Sequence, residues 1–265
     1  MEQSRLATKE FNMAFQQQRA TRISKRQKRV LKQEGVLEDG NKLSSSFGIN
    51  ADIQPMTENQ RKAFESWDAG NNVMLHGIAG TGKTFMALYF ALKDVFDKKN
   101  EHEKVWIVRS TVSTRDQGFM PGTRNQKEAV YEEPYPPICE KLFGRGDAYS
   151  ILKQKNLIEF RSTSFLRGVT FDNCIIVVDE MQNMNDGELH TVMTRVGQNC
   201  KIIFAGDIKQ DDLTSKRFNE QSGIADFIRI IRDMKEFDFT EFFVDDIVRS
   251  DLVKSYIIAR DKLGL

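Results

Sequence analysis

HGIAGTGKT, residues 76–84, separates Gly77 from Gly82-Lys83-Thr84 by four residues. It follows the apolar run Asn72 to Leu75 directly and opens a helical stretch from Lys83 to Asp97. A polyphosphate must approach the main chain closely to accept several N–H bonds at a helix N-terminus, and glycines leave the room and permit the turn. The spacing therefore predicts a loop from Gly77 through Ile78, Ala79, Gly80, Thr81 and Gly82 to Lys83 and Thr84 that wraps the phosphates of ATP. Lys83 reaches the outer phosphates and the Thr84 hydroxyl a magnesium ion. A glycine-rich turn that binds nothing would not explain Lys83 and Thr84 standing in register together.

Downstream, CIIVVDE closes a dry apolar run with Asp179-Glu180. Two adjacent carboxylates there repel one another and are costly to desolvate, and a cation relieves both effects. Asp179 is placed to hold magnesium through water and Glu180 to activate an attacking water as general base. A second run, KIIFA, ends in Gly206-Asp207, with Gln210 three residues on. In a parallel sheet Gln210 could reach the terminal phosphate or the water; the competing reading makes Asp207 a turn former or helix cap and Gln210 an exposed loop residue.

Around these motifs strands and helices alternate: helix Glu58 to Ala69, strand Asn72 to Leu75, helix Lys83 to Asp97, strand Lys104 to Arg109, strand Cys174 to Val178, strand Lys201 to Phe204, a last strand Phe237 to Phe242, and a helical run Leu252 to Arg260. The Ile- and Val-rich runs without polar alternation predict strands covered on both faces. The fold class expected is α/β, a mostly parallel sheet flanked by helices with ligands at the carboxyl ends of its strands. Residues 118–150 hold four of the five prolines, which suggests an irregular surface insertion.

At 265 residues, 40% apolar and 29% charged, the chain has room for one α/β domain and an extension. Residues 1–55 read as a basic helical extension and linker, with the domain proper at 56–265. From Met1 to Glu34 there are nine Lys or Arg against three Glu, whereas the whole chain carries only +1. Arg19, Arg22, Arg26 and Arg29 would line one helix face, either as a solvated stripe or as a contact for a nucleic-acid backbone. Three widely spaced cysteines, Cys139, Cys174 and Cys200, fit a reducing cytoplasm. No apolar run approaches the roughly 18 residues of a membrane span, so no membrane partner is expected.

Thr57 and Gln60 make a helix-start capping box, which suffices to explain both residues, but the Gln60 amide could equally pair with the adenine edge. Phosphoryl transfer to water also needs positive charge on the moving group. Arg249, after the last strand, could fold over the nucleotide of its own chain, whereas Arg195 could point into a neighbour's site. Each could also be an ordinary surface arginine.

GIAGTGKT, VVDEMQN, TRVG, GDIKQDDL and DDIVRSDLV, in this order and spacing, resemble the PhoH family of phosphate-starvation-associated ATPases of bacteria and their viruses. FMPG at Phe119 to Gly122 and FLRG at Phe165 to Gly168 extend the likeness. The resemblance spans roughly Met56 to Arg260. It implies a single RecA-like P-loop ATPase domain related to the first domain of superfamily 1 helicases, with a role proposed in RNA unwinding or remodelling. It favours Gln60 as an adenine contact and places Arg249 where those helicases carry a phosphate-contacting arginine. Met181, the RGVT at Arg167 to Thr170 and Ser250 depart from the usual pattern, and none touches the loop or the acidic pair.

The expected activity is magnesium-dependent ATP hydrolysis coupled to RNA or single-stranded nucleic acid, with the basic segment and Tyr131 and Tyr135 as contact candidates. Related helicases use two such domains, so a second copy would come from another chain. A homo-oligomer follows, and the resemblance suggests a hexameric ring. The competing expectation is a nucleotide-gated oligomeric switch that moves no strand. Glu180 and Gln210 look arranged for water rather than for an acceptor hydroxyl, which argues against a kinase.

Overall fold

The computed structural model describes residues 47–110, 124–166, 168–207 and 224–262. In chain order it forms α1 (Glu58–Asp68), β1 (Asn72–Gly77), α2 (Lys83–Phe96), β2 (Lys104–Arg109), α3 (Arg124–Glu132), α4 (Tyr135–Phe143), α5 (Ala148–Gln154) and β3 (Ile158–Ser162). Then follow β4 (Cys174–Val178), α6 (Asp186–Met193), β5 (Cys200–Gly206), α7 (Ile224–Arg232), β6 (Phe237–Phe242) and α8 (Asp251–Lys262). Six strands make one sheet in the order β3-β2-β4-β5-β1-β6, and every pairing is parallel. The phosphate-loop strand β1 is thus separated from the acidic-pair strand β4 by β5 alone. The α/β architecture, a parallel sheet flanked by helices, is the one expected.

The burial of the central strands follows from their composition. All five residues of β4 are buried, and removing each aliphatic side chain from Ile175 to Val178 from water stabilises the fold by about 1.5–3 kcal/mol. Helix α2 buries eight residues between Met86 and Val95. Trp67 of α1 stacks on Phe90 of α2 at 5.8 Å, and Phe64 meets the same ring edge-on at 4.8 Å. Across the sheet, Phe204 of β5 packs edge-on against Phe227 of α7 at 5.0 Å. With both faces covered, only the strand ends can carry polar chemistry.

Three features differ from the sequence expectation. First, the compact unit begins at Phe47 rather than at Met56. The Phe47 ring stacks on Phe143 at 4.9 Å, and Asn50 Nδ2 donates to the Phe143 carbonyl at 2.8 Å. Part of the glycine- and serine-rich stretch read as a linker is therefore packed. Second, the segment expected to be irregular carries α3, α4 and α5. Its prolines do not break α4 because Pro134 is the N-cap and Pro136 and Pro137 fall in the first turn, where backbone N–H groups lack intrahelical partners in any case. Third, β3 pairs with β2 at the sheet edge. Its buried and part-exposed residues alternate, with Glu159 accepting from Lys104 and Arg161 on the wetter face. A half-charged edge strand lacks the continuous apolar run by which the central strands are recognised.

The three cysteines are free, with the Cys174 and Cys200 sulfurs 3.6 Å apart across β4 and β5. Among the described residues no helix is long and apolar enough to cross a membrane.

Candidate nucleotide site

The loop 77–84 joins β1 to α2 at the carboxyl rim of the sheet. Gly77 has φ 120°, and a Cβ there would stand 2.2 Å from the Phe242 carbonyl oxygen of β6, so the close pairing of β1 with β6 admits only glycine. Gly82 is the N-cap of α2 in the left-handed conformation, φ 86°, with no side chain capping the helix. The first N–H groups of a 14-residue helix consequently point into the loop without a side-chain acceptor, an arrangement suited to an anion. Lys83 Nζ donates to the Gly77 and Ile78 carbonyls at 2.8 and 2.7 Å, and Thr81 Oγ1 donates to the Ile78 carbonyl at 3.0 Å. Burial pushes the Lys83 ammonium below its usual range, opposed by the negative charges of Asp207, Glu180 and Asp179.

Opposite stands the acidic pair. Thr84 Oγ1 donates to Asp179 Oδ1 at 2.8 Å, and the Tyr135 hydroxyl donates to Asp179 Oδ2 at 3.0 Å. Asp179 is only 2% exposed. Burial first and the neighbouring Glu180 second push its carboxyl above the ordinary range, while Thr84, Arg109 and Tyr135 pull the other way. Glu180 holds a left-handed backbone, φ 52°, a conformation that costs a non-glycine residue about 1 kcal/mol or more. Its carboxylate accepts from Gln182 Nε2 at 2.5 Å, and Gln182 Oε1 accepts from the Asp207 N–H at 2.9 Å. One side chain thereby stitches the ends of β4 and β5 together. Neighbouring Gly206 must lack a Cβ, which would fall 2.4 Å from Gln182 Oε1.

Gln60 is 5% exposed. Its Nε2 donates to the Thr81 carbonyl at 3.0 Å and its Oε1 accepts from the Met56 N–H at 2.7 Å. The capping half of the box is also present, since Thr57 Oγ1 accepts from the Gln60 N–H at 3.3 Å. The amide thus ties the start of α1 to the phosphate loop at the edge of the site. Arg249 lies against the loop of its own chain: the Val248 N–H donates to the Gly80 carbonyl at 3.1 Å, and a Cβ on Gly80 would meet the Arg249 side chain at 3.2 Å. Gln60, Lys83, Arg109, Asp179, Glu180 and Arg249 all line one cavity of about 890 Å³, within the usual size of a small-molecule site.

Arg195 is not in that cavity. Its carbonyl accepts from the Phe171 N–H at 2.8 Å, next to the Phe171–Val196 bridge that precedes the amino ends of β4 and β5, so it stands at the opposite rim of the sheet. Gln210, the segment FMPG and the basic stripe of Arg19 to Arg29 lie outside the described residues. Tyr135 is a correction: instead of an exposed base-stacking ring it is fully buried with its hydroxyl on Asp179. Sequence reading also passes over Arg109 and Gln182. Arg109 has a usable signal, because an apolar strand that ends in a charge at the carboxyl rim is the same pattern that flags Asp179.

The donor set suits magnesium. Among the described residues no cluster of three or more His, Cys, Asp or Glu could form a protein cage for a metal, but magnesium beside phosphates needs only one or two protein oxygens. Thr84 and Asp179 supply a hydroxyl and a carboxylate 2.8 Å apart, and the burial cost at Asp179 is of the kind a cation offsets.

The family model described as PhoH-like protein matches residues 52–260. The chain belongs to the PhoH family. The matched span of this PhoH-family chain contains every site element from Gln60 to Arg249. The PhoH-like protein of Bacillus subtilis strain 168 is 30% identical over 212 residues, covering 79% of this chain and 64% of the relative. That of Mycobacterium tuberculosis H37Rv is 29% identical over 217 residues, covering 78% and 57%. Protein PhoH of Escherichia coli K12 is 29% identical over 178 residues, covering 66% and 49%. The chain therefore spans between about half and two thirds of the length of these relatives. Among solved structures, the large terminase of a thermophilic bacteriophage in complex with ADP aligns with a TM-score of 0.46 at 12% identity, covering 76% of this chain and 49% of that one. The Sulfolobus solfataricus SWI2/SNF2 ATPase core in complex with dsDNA aligns at 0.43 and 15%, covering 79% and 48%.

Proposed function

We propose that this PhoH-family protein binds ATP with magnesium and hydrolyses it, coupling hydrolysis to RNA or single-stranded nucleic acid. The observation that carries this reading is the Thr84 hydroxyl 2.8 Å from Asp179, at the head of a helix whose N-terminus no side chain caps. The residues from Gly77 to Thr84 hold the polyphosphate through main-chain N–H groups, and Lys83 turns from the loop carbonyls to the outer phosphates. Thr84 and Asp179 hold the cation, which when bound neutralises charge on the phosphates. Glu180 orients and deprotonates the attacking water, Gln210 monitors the terminal phosphate, and Gln60 faces the adenine. Arg249 stabilises the transferring group from the same chain, and Arg195 serves only in a ring, where it would face a neighbour. The basic segment that holds Arg19 to Arg29 supplies the nucleic-acid contact.

A switch that hydrolyses slowly is favoured by one contact: the Glu180 carboxylate is engaged by Gln182 instead of facing the cavity alone. Steady-state phosphate release with and without single-stranded RNA separates the two readings. Stimulation by RNA supports the coupled ATPase, and indifference supports the switch. Lys83→Ala is expected to abolish release in either case, and full activity in that variant would defeat both.

A further inference from the structure

We propose that Tyr135, backed by Arg109, is a positioning pair that fixes the carboxylate of Asp179 for the cation while keeping arginine off it. The inference rests on the nucleotide reading above and adds residues from two elements that the phosphate-binding motifs do not contain.

A carboxylate rotates easily about its last bond, and with Thr84 alone on Oδ1 nothing would hold the plane of Asp179. Tyr135 completes the grip by donating to Oδ2 at 3.0 Å. Its phenol is delivered by α4 and is fully buried, with the ring set between Phe160 at 6.0 Å and Tyr149 at 6.4 Å. Arg109 ends β2 beside β4, where the Asp179 N–H donates to the Val108 carbonyl at 2.9 Å. Its guanidinium lies near enough for its positive charge to act on both the Tyr135 phenol and Asp179. Tyr135 donates to Asp179, and because guanidinium has no acceptor, a relay that includes Arg109 can run only from Arg109 through the phenol to the carboxylate.

The intervening phenol matters because of what an arginine does to a carboxylate. Paired directly, its planar fork would occupy both oxygens of Asp179 in a bidentate contact and displace a cation. One hydroxyl further out, Arg109 still offsets the repulsion between Asp179 and Glu180 through a poorly screened interior, and a lone pair on each Asp179 oxygen stays open. Groups that orient metal-holding carboxylates typically change metal affinity or activity by about 10- to 100-fold when removed.

The test is a titration of MgCl2 into the full-length chain with a fluorescent N-methylanthraniloyl-ADP, read by the nucleotide's fluorescence. Tyr135→Phe keeps the ring packing and deletes only the hydroxyl. It is expected to raise the magnesium midpoint by about 10-fold or more, leaving nucleotide affinity in EDTA and the melting temperature near wild type. Arg109→Met approaches the same relay from the other end and should move the midpoint in the same direction, so the inference remains testable if one variant fails to fold. Wild-type magnesium dependence with an unmoved midpoint in both folded variants overturns this inference alone. A wild-type chain whose nucleotide binding ignores magnesium overturns it together with the reading on which it rests.

Discussion

Gln182 acts on two strands at once, and its value lies in what it holds still. It engages the Glu180 carboxylate and the Asp207 N–H, and it leaves no space for a side chain on Gly206. Gln182→Ala is expected to lower kcat by up to about 10²-fold, as misplacement of a reacting group does, with nucleotide affinity unchanged in an equilibrium titration. Gly206→Ala places a methyl group against Gln182 and the Met181 backbone. It should destabilise the fold by about 1–3 kcal/mol, as overpacking does, visible as a drop of several degrees in a thermal melt. Lys83, Thr84 and Asp179 are legible in the sequence because the chemistry of each is announced by neighbours along the chain. The use made of Tyr135 is not, since its partner Asp179 is 44 residues away and only the folded sheet brings the two together. Prolines around a tyrosine suggest a surface loop, whereas the structure uses them to start a helix that carries a hydroxyl inward.

At the level of elements, continuous apolar runs give β2 and β4 their residue ranges, because strands covered on both faces tolerate no polar alternation. β3 escapes that reading for the converse reason, with Glu159 and Arg161 on its wetter side. The amino-terminal boundary is misplaced in the sequence reading because glycines and serines outnumber the one residue that decides it. Phe47 anchors the segment on Phe143 and lies 6.0 Å from Phe96. Phe47→Ala is expected to cost about 3 kcal/mol, measured by denaturant unfolding. An unchanged midpoint would return the boundary to the neighbourhood of Met56. Asp246 performs a comparable task at the other end of the chain: it accepts from Asn59 Nδ2 at 2.8 Å and from the Phe243 N–H at 2.9 Å, joining α1 to the turn that brings Val248 and Arg249 onto the phosphate loop.

For the whole molecule, the parallel order of the sheet decides which residues can cooperate. It brings the phosphate loop, the acidic pair, Gln182 and Arg109 to one rim and leaves Arg195 at the other, so of Arg195 and Arg249 only Arg249 lines the cavity within one chain. Only assembly could bring Arg195 to a site, and light scattering with ATP present is expected to show a homo-oligomer. A monomer under all nucleotide conditions would remove Arg195 from the reaction. The uneven charge, nine basic residues before Gly35 in a chain of net +1, is legible from composition, but composition cannot say what such a segment touches. The most direct test of the central claim is an anomalous difference map from crystals grown with a non-hydrolysable ATP analogue and Mn2+ in place of Mg2+. The account predicts a manganese peak about 2 Å from Thr84 Oγ1, on the side facing Asp179, with the phosphates on the N-terminus of α2. A nucleotide seated elsewhere, or a metal remote from both Thr84 and Asp179, would contradict it.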